Sequence, residues 1–415
     1  MSNKMENSFD VMVIGAGAAG VFSAINIKTF HPQLRVAILE KTHQSLSKVK
    51  VSGGGRCNVT HACFDPKELI KFYPRGTKEL RGPFAVFQPS DTIQWFAERN
   101  ITLKTEEDGR MFPDSDSSQT IIDCFHQELR QLEIPILYQQ KIEKITPHEN
   151  QFIIDTIQES YACKRMVITT GGFNKLEQYQ FINQLGISII PPTPSLFTFN
   201  LPQHDLLQLQ GIVSQVNVKL LGTKMEESGP LLITHWGVSG PAILKLSSWA
   251  ARYLHEQNYE FDFRVNWLPS MNEELLKETL NNWKQNYGAK KVINHFELDI
   301  PKKLQVYLLN KSTIDENTKW ADVTKKQLNK LIDTLLNDVY HSQGKTTFKK
   351  EFVSCGGVQL NEINFKTMES KKVPGIYFAG EVLDIDALTG GFNFQAAWTT
   401  GYIAAQHIAT SFEAE

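Results

Sequence analysis

An apolar run at residues 11–14 breaks at Gly15-Ala16-Gly17-Ala18-Ala19-Gly20. A longer stretch follows, and a second apolar run at 36–39 ends on Glu40. Short apolar runs bounded by glycine or charge predict buried strands, and the longer stretch between them predicts a helix. The alternation continues. Ser90 or Asp91 is placed to cap a helix ending at Ala97, and Ser117 or Ser118 another ending at Leu132. Residues 141–145, 152–157 and 166–169 predict short strands. The pattern changes at Pro191-Pro192-Thr193-Pro194, which cannot continue a helix and predicts an extended crossover. Strand-like runs at 195–201, 212–221, 231–234 and 259–267 then predict a small β domain. Apolar spacings of three and four predict helices at 272–284 and 324–337, with another at 302–309. From about Phe348 the first pattern returns, with a buried strand at 375–380, Gly390-Gly391, and a helix at 394–409.

The expected organisation is therefore a first domain in two pieces, 1–190 and 346–415. Between them lie a β insert at 191–268 and a helical insert at 269–345 that returns to the β domain near its end. A chain of 415 residues accommodates such a division. The formal net charge of −2 supplies no global field for nucleic acid or anionic membrane. Cysteines 57, 63, 124, 163 and 355 are odd in number and form no CxxC pair, which points away from a disulfide framework or zinc site and towards a reducing compartment. The polar opening MSNKMENSFD and the absence of a long apolar run predict a cytoplasmic location. The sequence leaves the oligomeric state open.

Chemistry concentrates where strand, glycines, helix, strand and acid fall in register. Gly15 permits a tight strand-to-helix turn, Gly17 allows a pyrophosphate to approach the backbone, and Gly20 allows the helix to pack closely. The N–H groups at the helix start, from Ala18 and Ala19 onwards, face an anion. Glu40, twenty residues after Gly20, is placed to accept from a ribose 2′-OH and disfavours a 2′-phosphate, so the dinucleotide is FAD or NAD. Lys41 follows, and then Ser52-Gly53-Gly54-Gly55-Arg56-Cys57-Asn58, a loop expected to wrap a bound dinucleotide. Cys57 is read there as pocket lining rather than as a redox thiol. Thr170-Gly171 forms a small-residue turn where backbone approaches a ligand. At the far end, Gly380-Glu381 and Asp384 present carboxylates, and Gly391-Phe392-Asn393-Phe394 opens a helix whose N–H groups suit the pyrimidine edge of a flavin. Glycine-rich elements at both ends of the chain favour FAD.

With GAGAAG, VSGGGRCNVT, THWGVSGPAIL and CGGVQLNEINFKTMESKKVPGIYFAGEVLDIDALTGGFNFQAAW, the chain resembles the HI0933-like (YhiN-type) family of FAD-dependent oxidoreductases, along almost its full length. The resemblance implies an α/β fold: a Rossmann-like FAD-binding domain of the glutathione-reductase type, holding an inserted β-barrel-like domain and a small helical one. It carries FAD contacts onto Gly15, Gly17, Ala18, Ala19, Glu40, Lys41, Gly54, Arg56, Cys57, Gly380, Asp384 and Gly391 to Phe394, with Ile142 touching adenine through its backbone. Ala387, Phe392 and Phe394 depart from the Gly, Tyr and Leu of many relatives.

In Thr234-His235-Trp236-Gly237, His235 is the candidate proton donor, balanced against an ordinary satisfied histidine. No second GxGxxG follows residue 20, so NAD(P)H, the expected electron donor, visits without a Rossmann site of its own. The expected reaction is hydride transfer through flavin to a small organic substrate, with an enone-type C=C implied by relatives. An amine oxidase using O2 and a flavin-based sensor or RNA-associated flavoprotein are the alternatives.

Overall fold

The computed structural model describes residues 7–346 and 354–413. The resumption of pattern near Phe348 and most of the polar opening lie outside them. The chain forms two compact units, one from residues 1–193 with 353–415 and one from 194–352.

The first unit is built on a mostly parallel sheet. Strand β1 (Ser8–Ile14) runs into helix α1 (Ala18–Phe30), then β2 (Val36–Leu39) and helix α2 (Ser47–Gly55). Strand β3 (Ser160–Ile168) pairs parallel with β1, and β4 (Ile376–Phe378), although some two hundred residues later, pairs parallel with β3. The parallel order is β4-β3-β1-β2, extended by Ile136–Leu137 beside β2. Every residue of β2 is buried, as is every residue of β1 from Val11 to Ile14, which explains why these strands read as unbroken apolar runs. Helix α3 (Phe392–Glu413) packs against α1, which is buried continuously from Ala19 to Ile27. Their approach is close. A Cβ at Gly401 would lie 2.8 Å from Ser23 Oγ and 3.2 Å from the Ala19 carbonyl oxygen.

Several expectations shift. Gln88 is the N-cap of the helix at Pro89–Ala97, and its backbone N–H donates to Asp91 Oδ2 at 2.7 Å, so the cap position lies two residues before Ser90. Ser117 does cap the helix Ser118–Gln131. The proline run is extended, but it is also a strand, Ile189–Pro194, paired with Ser354–Val358. Proline lacks the ladder donor, and this two-stranded pairing leaves an open edge where that loss is tolerated.

In the second unit the strands Thr198–Asn200, Val213–Leu220, Glu226–Ile233, Gly237–Ser239, Glu260–Asn266, Asp338–Gln343 and Lys345–Thr346 make one sheet. The helices Glu273–Asn286, Lys302–Lys311 and Lys325–Leu336 share its apolar core. Asn272 and Thr324 cap the first and last of these, and Thr324 forms a capping box with Gln327. Asp338 is buried and accepts hydrogen bonds from Trp267 Nε1 at 3.0 Å and Lys311 Nζ at 2.6 Å, as well as from the Tyr340 hydroxyl. Three donors compensate the buried carboxylate.

Candidate functional site

The site grows from the end of β1. Gly15 turns with φ +106°, and a Cβ there would meet the Thr169 carbonyl oxygen at 2.8 Å. Gly20 is tighter, because its Cβ would stand 1.9 Å from the Gly15 carbonyl oxygen and 2.5 Å from Thr169 Oγ1. Gly17 differs from both. It occupies the N-cap of α1 with no side-chain cap, and a Cβ on it would meet nothing within 4 Å. The three glycines thus divide the work: two accommodate chain packing, and one leaves the backbone at an uncapped helix start open to an incoming group. Ala18 and Ala19 are the first helical residues there.

Glu40 stands beside this turn. Its Oε2 accepts from the Ala16 N–H at 2.9 Å, while Oε1 accepts from the Thr42 N–H at 2.8 Å and the Thr42 hydroxyl at 2.9 Å. The carboxylate therefore ties the ends of β1 and β2 together besides lining the turn. Lys41 places its ammonium 5.0 Å from the Phe173 ring centroid. Ile142 opens the strand Ile142–His148, two residues after Gln140, whose N–H donates to the Glu40 carbonyl at 2.9 Å. The structure thus brings Ile142 to the same edge as Glu40.

The triple glycine is a turn that breaks α2: the backbone leaves helical geometry at Ser52, Gly53, Gly54 and Gly55 are all at positive φ (56°, 70° and 87°), and Gly54 and Gly55 have open space where a Cβ would point. Arg56 bonds within the protein through Nη1. Its guanidinium pairs with Glu106 at 2.5 Å and Asp116 at 3.5 Å and lies 4.0 Å from the Phe112 ring centroid. Cys57 is fully buried, and burial pushes its thiol up to about 12, so the adjacent arginine produces no thiolate. Iodoacetamide at pH 8 is accordingly expected to leave Cys57 unmodified in the folded protein and to label it after denaturation. Peptide mass mapping checks this, and rapid native labelling at Cys57 would contradict the burial.

Asn58 links the two ends of the chain. In the amide orientation that satisfies both its ends, its oxygen accepts from the Gly391 N–H at 2.9 Å and its nitrogen donates to the Thr60 and Met111 carbonyls. Gly391 has no room for a side chain, since a Cβ would approach the Thr60 oxygen to 2.4 Å. Nearby, Thr60 Oγ1 donates to Gln395 Oε1 at 2.6 Å and Trp398 Nε1 donates to the Val59 carbonyl at 2.9 Å.

Phe392 opens α3 with its ring buried, stacked on Phe72 at 4.2 Å and on His61 at 4.5 Å, while its carbonyl accepts from the Tyr73 hydroxyl at 2.6 Å. Its side chain belongs to the core. Asn393 clasps both the N–H and the carbonyl of Ala387, and Phe394 stacks on Trp398. Beside them the buried Arg75–Asp386 ion pair fixes the strap at residues 72–76 to the chain before the glycine turn.

Gly380 has φ +75° and sits against Ala19, where a Cβ would come within 2.9 Å of the alanine methyl. Glu381 pairs with Lys48 at 2.6 Å, and the lysine holds its carboxyl below the usual range. Thr170 and Gly171 lie alongside. The Cβ position of Gly171 is 3.9 Å from Glu381 Oε2 and 4.0 Å from Lys48 Nζ. Asp384 is buried and accepts from the Gly356 N–H at 2.9 Å. His235 lies in the second unit, exposed on the turn before Gly237–Ser239, with its ring against Trp236. It is not among the residues gathered in the first unit.

Sequence reasoning missed Lys48, His61, Tyr73 and the Arg75–Asp386 pair. Each acts through a partner more than three hundred residues away, and no local pattern marks such a contact.

Together the parallel sheet, the open glycine at an uncapped helix start and the acid after β2 define a dinucleotide-binding Rossmann unit. The chain belongs to the HI0933-like family, whose Rossmann-domain description matches residues 9–407, and it is a FAD-dependent oxidoreductase. It is 32% identical to an Escherichia coli (strain K12) protein named ribosomal RNA dihydrouridine synthase, over 96% of this chain and 98% of that one. It is 26% identical to a 3-dehydro-bile acid delta(4,6)-reductase of Clostridium scindens, over 94% and 97%. Among solved structures, a Rhodococcus jostii RHA1 3-ketosteroid-delta4-(5alpha)-dehydrogenase in complex with 4-androstene-3,17-dione aligns with TM-score 0.50 at 12% identity over 97% of both chains, a likeness of fold. FAD fits the residues present, since Gly17 leaves the α1 N-terminus clear for a pyrophosphate and an acid rather than a cation follows β2. Among the described residues, no helix is long and apolar enough to cross a membrane.

Proposed function

We propose that this protein reduces a carbon–carbon double bond conjugated to a carbonyl, and that the bond is C5=C6 of a uridine in ribosomal RNA. The observation that carries the reading is the 32% identity, over nearly the full length of both chains, to a relative named for that conversion. The bile-acid relative favours a second reading, a small cyclic enone or dienone, and the two share one chemistry. In uridine and in an enone, hydride adds to the carbon β to the carbonyl and a proton to the α carbon; in a dienone the same addition also reaches the distal bond, with hydride at the δ carbon and a proton at the γ carbon. The net charge of −2 disfavours nucleic acid only as a whole-chain quantity.

A bound FAD, once reduced by a donor such as NAD(P)H, supplies the hydride. The chain's residues hold it. Gly17 with the Ala18, Ala19 and Gly20 N–H groups receives the pyrophosphate, and Glu40 takes the adenosine ribose. Lys41 and the backbone at Ile142 border the adenine. Thr170, Gly171, Gly380, Glu381 and Asp384 follow the ribityl chain. Gly54 and the Asn58–Gly391 junction set the backbone of residues 391–394 near the flavin ring. Arg56, Cys57, Phe392 and Phe394 contribute by fixing that backbone.

The test is nucleoside mass spectrometry of ribosomal RNA from cells with and without the gene, followed by incubation of deletion-strain RNA with the purified protein and NADH or NADPH. A dihydrouridine that vanishes on deletion and returns in vitro is expected. Unchanged dihydrouridine in the deletion strain, with anaerobic flavin oxidation by a 3-oxo-4,6-diene steroid instead, would transfer the assignment to the small-molecule reading.

A further inference from the structure

In the helical segment of the second unit, short stretches around Lys291 and Lys319 meet as an antiparallel bridge. Directly opposed residues of such a bridge project to one face, and like charges there repel. Lys291 bonds only a neutral group, Asn317 Oδ1 at 2.8 Å, and among the described residues neither it, Lys290 nor Lys319 has a carboxylate within ion-pair distance. All three side chains are exposed.

Beside them Tyr287 and His295 stack almost parallel, at 4.1 Å and 6°, with Lys290 Nζ 5.8 Å from the tyrosine centroid. Both rings are half-buried. Folding alone gains nothing from opposing two exposed lysines, and a bound anion would relieve whatever repulsion remains between them. Phosphodiesters spaced along a strand would neutralise the lysines, and an unpaired base would extend the ring stack.

We infer that Lys290, Lys291 and Lys319, with the Tyr287–His295 stack, form a docking surface for single-stranded ribosomal RNA. The inference rests on the RNA reading of the substrate. A partner protein with an acidic surface is the competing occupant, but the flat aromatic pair beside the lysines favours a nucleobase.

The experiment measures binding of the full-length, FAD-loaded protein to protein-free ribosomal RNA across a salt series, comparing wild type with the triple variant Lys290→Gln, Lys291→Gln, Lys319→Gln and with Tyr287→Ala. The triple variant is expected to bind about 10-fold or more weakly, with the slope of log K against log salt reduced by about 2, from three contacts at roughly 0.7 each. Tyr287→Ala should lose about 10-fold with the slope unchanged. Flavin content and thermal midpoint should match wild type, because the lysines are exposed. Wild-type affinity and slope in the triple variant would overturn the surface while leaving the substrate reading intact. No RNA binding by wild type would overturn both. Loss of binding to intact ribosomal particles, with binding to protein-free RNA unchanged, would assign the surface to a protein and overturn RNA docking.

Discussion

Gly20→Ala is expected to abolish accumulation of the folded flavoprotein, whereas Gly17→Val should fold and fail to retain FAD. The added methyl at position 20 would lie 1.9 Å from a backbone oxygen, and that oxygen belongs to Gly15, itself held at φ +106° against Thr169. That oxygen is not the end of a flexible side chain, so relief requires moving α1 off the turn. Overpacking of this severity costs about 3 kcal/mol or more. At position 17 the protein offers no obstacle. The backbone is extended (φ −86°, ψ −170°), which valine accepts, and replacing an N-cap glycine costs about 1 kcal/mol. The isopropyl group would instead fill the space a pyrophosphate needs. Thermal unfolding and the flavin absorbance per protein separate the two effects. A Gly17→Val protein with full flavin content would sink the assignment of this turn to the pyrophosphate.

Arg75→Met is the second large effect. Asp386 is fully buried and Arg75 nearly so, and the pair is bidentate. Removing the cation leaves a buried carboxylate without its counter-charge, a loss of about 3–5 kcal/mol. The strap that holds Phe72 and Tyr73 against Phe392 loosens with it, so flavin affinity should fall in parallel. Arg75→Met combined with Asp386→Leu should recover much of the stability, since an apolar pair of similar volume is often tolerated where a lone charge is not. Denaturant midpoints for the single and double variants check this. A single variant as stable as wild type would show that the ion pair does not hold the strap.

Much of the first unit was legible because its signals are local. Strands buried on both faces read as apolar runs, and glycine, helix and acid fall within a thirty-residue window around α1. Ser117 announced its helix, since a cap bonds residues two or three positions on, and apolar spacing announced the helices that Asn272 and Thr324 cap. The SGGGRCN block was harder. Its glycines suggested a flexible loop, but a Cβ on Gly53 would stand 2.8 Å from the Phe112 ring and Asn58 bonds Gly391, so tertiary contacts fix what composition leaves open. Arg56 shows the same limit. An arginine beside glycines looks like a ligand donor, and only the fold reveals Glu106 and Asp116 beside it.

The placement of β4 against β3 has a consequence in time. Residues 166–168 of β3 pair with residues 376–378, so on the ribosome that edge must wait while about two hundred further residues are made. At 5–20 residues per second the wait is roughly 10–40 s, during which an apolar parallel edge stands open. The Gly391 N–H that Asn58 receives arrives later still. The nascent protein can therefore pair β1 with β2 early and yet cannot complete its sheet or the Asn58–Gly391 junction until synthesis is nearly complete.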